Sequence, residues 1–283
     1  MYDYFVAPYE SYLFLKRALV ACFALSMGCA PVGVLLVLRR MSLMGDALSH
    51  SIMPGVAVGY LIAGLSLPVM GLGGIVAGLI VAFLATMVTR YTQLQEDASF
   101  VGFYLIALST GTVIISLKGS NIDLTHILFG TILGVNGASL VLVASITTIS
   151  LLVLAIVYRP LILECFDPTF MRSIGGHGSF YHVLFMGLVV LNMVAAFQAL
   201  GILMALGMMM LPAVAARFWA REIWGLFSVA FFVALFSGYF GLLISYHYTL
   251  PSGPSIILVS GALYIVSLFV GPYGSLRQKL FSS

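Results

Sequence analysis

The sequence predicts an all-α polytopic membrane protein, with about nine transmembrane helices and a short re-entrant or interfacial helix near residues 121–134. Three observations predict it. Hydrophobic residues make up 62% of the 283 and charged residues only 7%, with a mean hydropathy of +1.15, far outside the range of soluble domains. The apolar residues fall into runs that match a hydrocarbon core of about 30 Å, punctuated by short polar or Gly/Pro turns. Lys and Arg gather on alternate connections, as the positive-inside rule requires. The expected organisation is an N-terminal interfacial arm over 1–16, a transmembrane domain over 17–272 and a short C-terminal tail over 273–283.

The arm carries Asp3, Glu10 and several aromatic residues. A first span is expected over about Ala18–Leu38, stopped by Arg39-Arg40. Lys16 and Arg17 ahead of that apolar run imitate a signal peptide, but apolar sequence continues to Leu38, so the segment is read as a membrane helix. The second span runs to about Ala63 and contains Gly55 and Gly59; the third covers Val69–Thr89 and contains Gly74 and Gly78. Both small-residue pairs at this spacing permit close helix approach. A polar loop over 90–99 leads to a fourth span, Phe100–Leu117. Residues 119–137 hold too short an apolar stretch to cross, and read as a re-entrant or interfacial helix capped by Asn121 or Asp123. His126 within it reads as a surface residue. The fifth span, Ala138–Val157, is expected to end at Arg159-Pro160 before a polar loop over 160–180 with Glu164, Asp167, Arg172 and His177. A very short turn joins the sixth, Tyr181–Phe197, to the seventh, Leu200–Ala215; Asn192 and Gln198 there suit helix-to-helix hydrogen bonding. The eighth and ninth cover Trp224–Ser245 and Ser255–Val270.

With the N-terminus outside, Arg39, Arg40, Arg90, Arg159, Arg172, Arg217, Arg221, Arg277 and Lys279 fall in the cytoplasm, and only Lys16, Arg17 and Lys118 outside. That orientation also puts the C-terminus in the cytoplasm. No basic cluster suits nucleic acid, and Cys22, Cys29 and Cys165 show no metal-ribbon spacing.

One stretch, RRMSLMGDALSHSIMPGVAVGY over 39–60, places two ionisable residues inside an apolar segment. Asp46 and His50 are four apart, so on a helix they share a face and offer a divalent cation two ligands. The competing reading makes Asp46 a helix cap beside Ser42 and His50 a helix-packing residue. Measured along the helix from Arg40, Asp46 sits about 9 Å and His50 about 15 Å into the segment, nearer the cytoplasmic half and the middle of the bilayer respectively.

The stretch resembles the second membrane segment of the manganese/zinc permease family, the membrane subunits of the ABC-3 class of ATP-driven metal importers, through Arg39, Arg40, Met41, Ser42, Leu43, Gly45, Asp46, Ser49 and His50. Three further patches carry the resemblance in family order across about 31–270. They are Asp123-Leu124 with Leu128-Phe129-Gly130; GMMMLPAVAARFWARE over 207–222; and Pro251-Ser252-Gly253-Pro254, for which no chemistry is evident. The resemblance implies a type II ABC importer-like permease domain in a bacterial plasma (inner) membrane. It implies a homodimer whose subunits each give Asp46 and His50 to a central metal path. It also implies ATP-binding cassette subunits docked on a coupling segment that includes Pro212, Ala213, Ala216, Arg217 and Arg221, and an extracellular or periplasmic metal-binding protein. The bland alternative for 207–222 is an ordinary loop with positive-inside arginines.

The chain has no GxxxxGK[ST] and no HExxH, so neither ATP hydrolysis nor zinc peptidase chemistry is its own. It reads as a transport subunit with no permanently bound cofactor, and the ion is its cargo. Two carboxylates and two imidazoles suit zinc and also accept manganese with added water; Pro54 after His50 looks like the manganese-type members, and the choice among manganese, zinc and iron stays open. His126, His177, His182 and His247 are left unassigned as ligands. The rival function is a secondary, ion-coupled metal transporter without an ATPase. A purely structural membrane subunit is the other.

Overall fold

The computed structural model describes residues 7–64, 66–92, 94–117, 135–173, 176 and 178–273, and the regular elements among them are all helices. In chain order these are α1 (Ala7–Ser11), α2 (Leu13–Leu38), α3 (Ser42–Ser51), α4 (Met53–Ala63), α5 (Leu67–Tyr91) and α6 (Glu96–Leu117). There follow α7 (Gly137–Phe166), α8 (Pro168–Ser173), α9 (Gly178–Leu200), α10 (Ile202–Ala216), α11 (Ile223–Tyr248) and α12 (Ser252–Val270). The expected helix near 121–134, with Asp123 and His126, lies outside the described residues, as do His177, Arg277 and Lys279.

Among the described residues, seven helices are long and apolar enough to cross a membrane: α2, α5, α6, α7, α9, α11 and α12. The other two expected spans take a different form. The second is divided into α3 and α4 at Ile52, which keeps helical dihedrals (φ −71°, ψ −27°). Pro54 is the cause: its ring nitrogen cannot donate to the carbonyl four residues back, which is that of His50. The seventh, α10, has only 15 residues.

Several boundaries move outward from the expected ones. α2 begins at Leu13, with Lys16 and Arg17 exposed on its first turns. α6 begins at Glu96, so Glu96 and Asp97 occupy its first turn, where carboxylates complement the helix dipole. α7 does not end at Pro160 but continues to Phe166, because Leu161 is fully buried and tertiary packing outweighs the lost backbone bond. α10 runs through Pro212 to Ala216, one residue beyond the expected end of its span. The very short turn before α10 rests on Gly201, whose φ of 87° only glycine adopts freely.

α2 is the hub, packed against α7, α9, α10 and α11, with Leu25, Leu35 and Leu36 fully buried. At Gly33 the backbones of α2 and α10 meet so closely that a Cβ would overlap the Met209 carbonyl oxygen. A second group, α3 to α6, packs on itself and joins the hub through α9 and α10. Gly55 and Gly59 do lie at a helix contact, against Gly73 and Met70 of α5, while Gly74 and Gly78 receive Ile52 and Val190. Asn192 also performs the expected helix bridging: its Nδ2 donates to Ser150 Oγ at 2.9 Å and to the Leu188 carbonyl at 2.8 Å. Gln198 lies against Gly71 of α5. In α1, Tyr9 is buried and donates to the Tyr239 carbonyl at 2.8 Å; burial pushes its phenol well above the usual range and keeps it a neutral donor.

Candidate metal half-site and coupling segment

Asp46 and His50 come together one turn apart on α3, with His50 Nε2 3.7 Å from Asp46 Oδ1. That is charge-pair distance and too long for a hydrogen bond, so neither group is consumed by the other. Asp46 does not cap the helix: the N-cap position is Met41, and Asp46 stands a full turn inside α3. Its side chain is 51% exposed and that of His50 29%, both on the accessible side of α3 that also carries exposed Leu43. The opposite face of α3 is packed. Gly45 meets Leu206 and Met210 of α10, so the helix bearing Asp46 rests directly on α10.

His50 divides into two ends. Nε2 faces Asp46, while Nδ1 is buried with no hydrogen-bond partner among the described residues. A ligating imidazole usually donates its second N–H to an acceptor that holds the ring. Here the ring plane is set instead by Tyr104 of α6, stacked at 6.1 Å between centroids and 29° between planes. Among the described residues no three His, Cys, Asp or Glu side chains gather in a way that holds a metal ion. Asp46 and His50 thus offer two potential donor groups on an exposed face, fewer than the four of a tetrahedral site.

A second polar cluster lies where α2, α6, α7 and α9 converge. Arg39 Nε donates to Cys165 Sγ at 2.9 Å, its Nη1 lies 3.1 Å from His182 Nδ1, and its guanidinium covers the Phe185 ring at 4.5 Å. Because Arg39 carries only donors, Nδ1 of His182 is the acceptor and the proton sits on Nε2. Nε2 stands 2.7 Å from Glu96 Oε1, close but not aligned as a hydrogen bond. His182 is accordingly committed to protein partners. Arg39, expected as a positive-inside stop and as part of the family pattern, is a four-helix tie. Arg39→Lys keeps the charge but loses the planar fork, and is expected to lower stability by about 1–3 kcal/mol, whereas exposed Arg40→Lys leaves it unchanged. Thermal unfolding of the purified variants in detergent checks this.

The expected coupling residues separate by burial. Pro212, Ala213 and Ala216 are buried along α10, and Arg217 and Arg221 are exposed just beyond it. After Ala216 the chain tightens rather than opening into a loop: Phe218 and Trp219 amides donate to the Ala215 and Ala216 carbonyls. His247 sits exposed in the last turn of α11, its ring 5.3 Å from that of Tyr246. Tyr104, Glu96 and the Arg39–His182 pair were not legible as site residues. Arg39 and His182 are 143 positions apart, and no local pattern links them.

The sequence model of the ABC 3 transport family matches residues 11–271. The manganese import system permease protein ScaB of Streptococcus parasanguinis is 32% identical over 279 residues, 99% of this chain and 98% of that protein. The chelated iron transport system membrane protein YfeD of Yersinia pestis is 31% identical over 269 residues, 95% of this chain and 89% of that protein. The solved structure of PsaBC from Streptococcus pneumoniae in complex with Fab superposes with a TM-score of 0.87 at 29% identity, covering 100% of both chains.

Proposed function

The chain belongs to the ABC 3 transport family, and from that premise we propose that it is the membrane permease subunit of an ATP-driven manganese importer. It would work as a homodimer with two ATPase subunits and an extracellular metal-binding protein. The observation that carries the reading is the outward-facing Asp46–His50 pair: two donors on an exposed face are incomplete alone and become a four-donor site across a two-fold axis. Manganese is favoured by the name of the ScaB relative and by Pro54 after His50, a step that resembles the manganese-type members of the family. Zinc and iron are the competitors, iron through the name of the YfeD relative.

We place the N-terminus outside and count nine crossings, taking α3–α4 as one interrupted span and α10 as a short one. In this type II-like arrangement the ATPase meets Arg217 and Arg221, while Pro212, Ala213 and Ala216 root the segment in the core. Movement of α10 reaches the metal half-site through the contact of Gly45 with Leu206 and Met210.

The test is uptake by the reconstituted permease with its ATPase and binding protein, with manganese, zinc and iron run in parallel. ATP-dependent manganese accumulation that outruns the other ions is the expected result. Uptake that proceeds without the ATPase and collapses with an uncoupler alone would establish the secondary-transporter reading instead.

A further inference from the structure

The segment that follows α10 is fastened to the end of the last helix. Trp219 Nε1 donates to Ser267 Oγ at 2.8 Å, and that hydroxyl donates onward to the Leu263 carbonyl at 2.7 Å. The Tyr273 amide donates to the Phe218 carbonyl at 3.0 Å. The Phe218 ring lies 6.1 Å from that of Tyr264, and the Arg221 guanidinium covers the Tyr273 ring at 4.6 Å. A Cβ on Gly271 would come within 2.5 Å of Phe218 Cβ, so the two backbones are in contact. Higher up, Gly207 of α10 receives Ile257 of α12, and Gly241 of α11 receives Ile256.

From this we propose that α10, residues 217–222 and α12 form one rigid body, and that the Trp219–Ser267 hydrogen bond is the clasp through which a stroke on the coupling segment is carried to the opposite face. α12 is long and apolar enough to cross the membrane, and its far end begins at Pro251-Ser252-Gly253-Pro254. That motif, without chemistry of its own, then has a mechanical role as the far terminus of the rod. Trp219 and Ser267 are positioning residues: neither lies near Asp46 or His50 in the chain, and they act by making two helices move together. This rests on the coupling role proposed for residues 212–221.

The experiment measures ATP hydrolysis and manganese uptake in the same proteoliposomes for wild type, Ser267→Ala, Trp219→Phe and the double variant. Ser267→Ala removes the acceptor and leaves no carbonyl of the helix ladder newly unpaired. ATP hydrolysis for Ser267→Ala is expected to stay within two-fold of wild type while ions moved per ATP fall at least five-fold. The double variant is expected to be no worse than either single, because both remove the same bond. An unchanged ion-to-ATP ratio in the single variants overturns the clasp, as does a parallel fall of hydrolysis and uptake. Arg217→Glu separates this from the underlying reading. If that charge reversal leaves ATPase co-purification intact, the coupling assignment itself fails; if ATPase binding is lost while Ser267→Ala stays fully coupled, only the clasp fails.

Discussion

Manganese uptake by the reconstituted complex is expected to fall by at least about 100-fold when His50 is replaced by alanine, with the protomer still folded. Losing even an outer-shell partner of a metal ligand commonly costs about 10–100-fold in affinity, and in the proposed dimer this substitution deletes two of four direct donors. The fold is spared because the imidazole is part-exposed, its Nε2 makes no hydrogen bond with Asp46, and its buried Nδ1 has no partner to leave unpaired among the described residues. The measurement is metal content of the purified permease, with and without its ATPase, for wild type and His50→Ala, with zinc and manganese in parallel. About one ion per dimer in wild type and none in the variant is the expected pair of results, a four-donor site holding a single cation. Equal metal in both would make His50 a packing residue and move the path elsewhere. Asp46→Asn adds a finer test: it keeps the shape and removes the charge, and is expected to weaken manganese more than it disturbs folding.

The largest loss of stability is expected not at the metal pair but at Gly55. A Cβ there would overlap both the carbonyl oxygen and the carbonyl carbon of Gly73, and come 2.7 Å from Ala77 Cβ. These obstacles are mostly backbone, which cannot rotate aside as a side chain can. Gly55→Val therefore forces α4 and α5 apart, and the expected cost is about 3 kcal/mol or more, at the upper end of overpacking effects. Because α4 continues from α3 through Ile52, the displacement also carries His50 off its Tyr104 stack. Thermal unfolding and size-exclusion behaviour report the effect. Gly261→Ala in α12 is the matched control, since nothing lies within 4 Å of its added Cβ, and it is expected to change stability by less than about 1 kcal/mol. A Gly55→Val protein as stable as the control would mean that the α4–α5 approach is not a close one.

Much of this was readable in the chain, for identifiable reasons. Apolar runs and arginine stops located most of the membrane helices, since hydropathy acts over whole segments and survives small errors at the ends. The boundaries were poorer where a proline stood in the way. Pro160 read as a stop, yet α7 passes through it, because the buried neighbour Leu161 holds the helix together despite one missing backbone bond. Pro54 did interrupt its helix, at Ile52, two residues after His50.

For the site, the sequence alone determined that Asp46 and His50 can share a helical face, that they sit in a largely apolar stretch, and that the chain resembles a family of metal permeases. Helical periodicity is a local property, and four residues of spacing are enough to establish it. Only the tertiary structure decided which way that face points, and that Gly45 turns the other side of the same helix onto α10. It alone turned Arg39 from a surface stop into a tie among four helices, and joined Trp219 to Ser267 across 48 positions. Periodicity states which residues lie together on a helix, but which face is covered, and by what, depends on the packing of distant segments that leave no mark on local sequence.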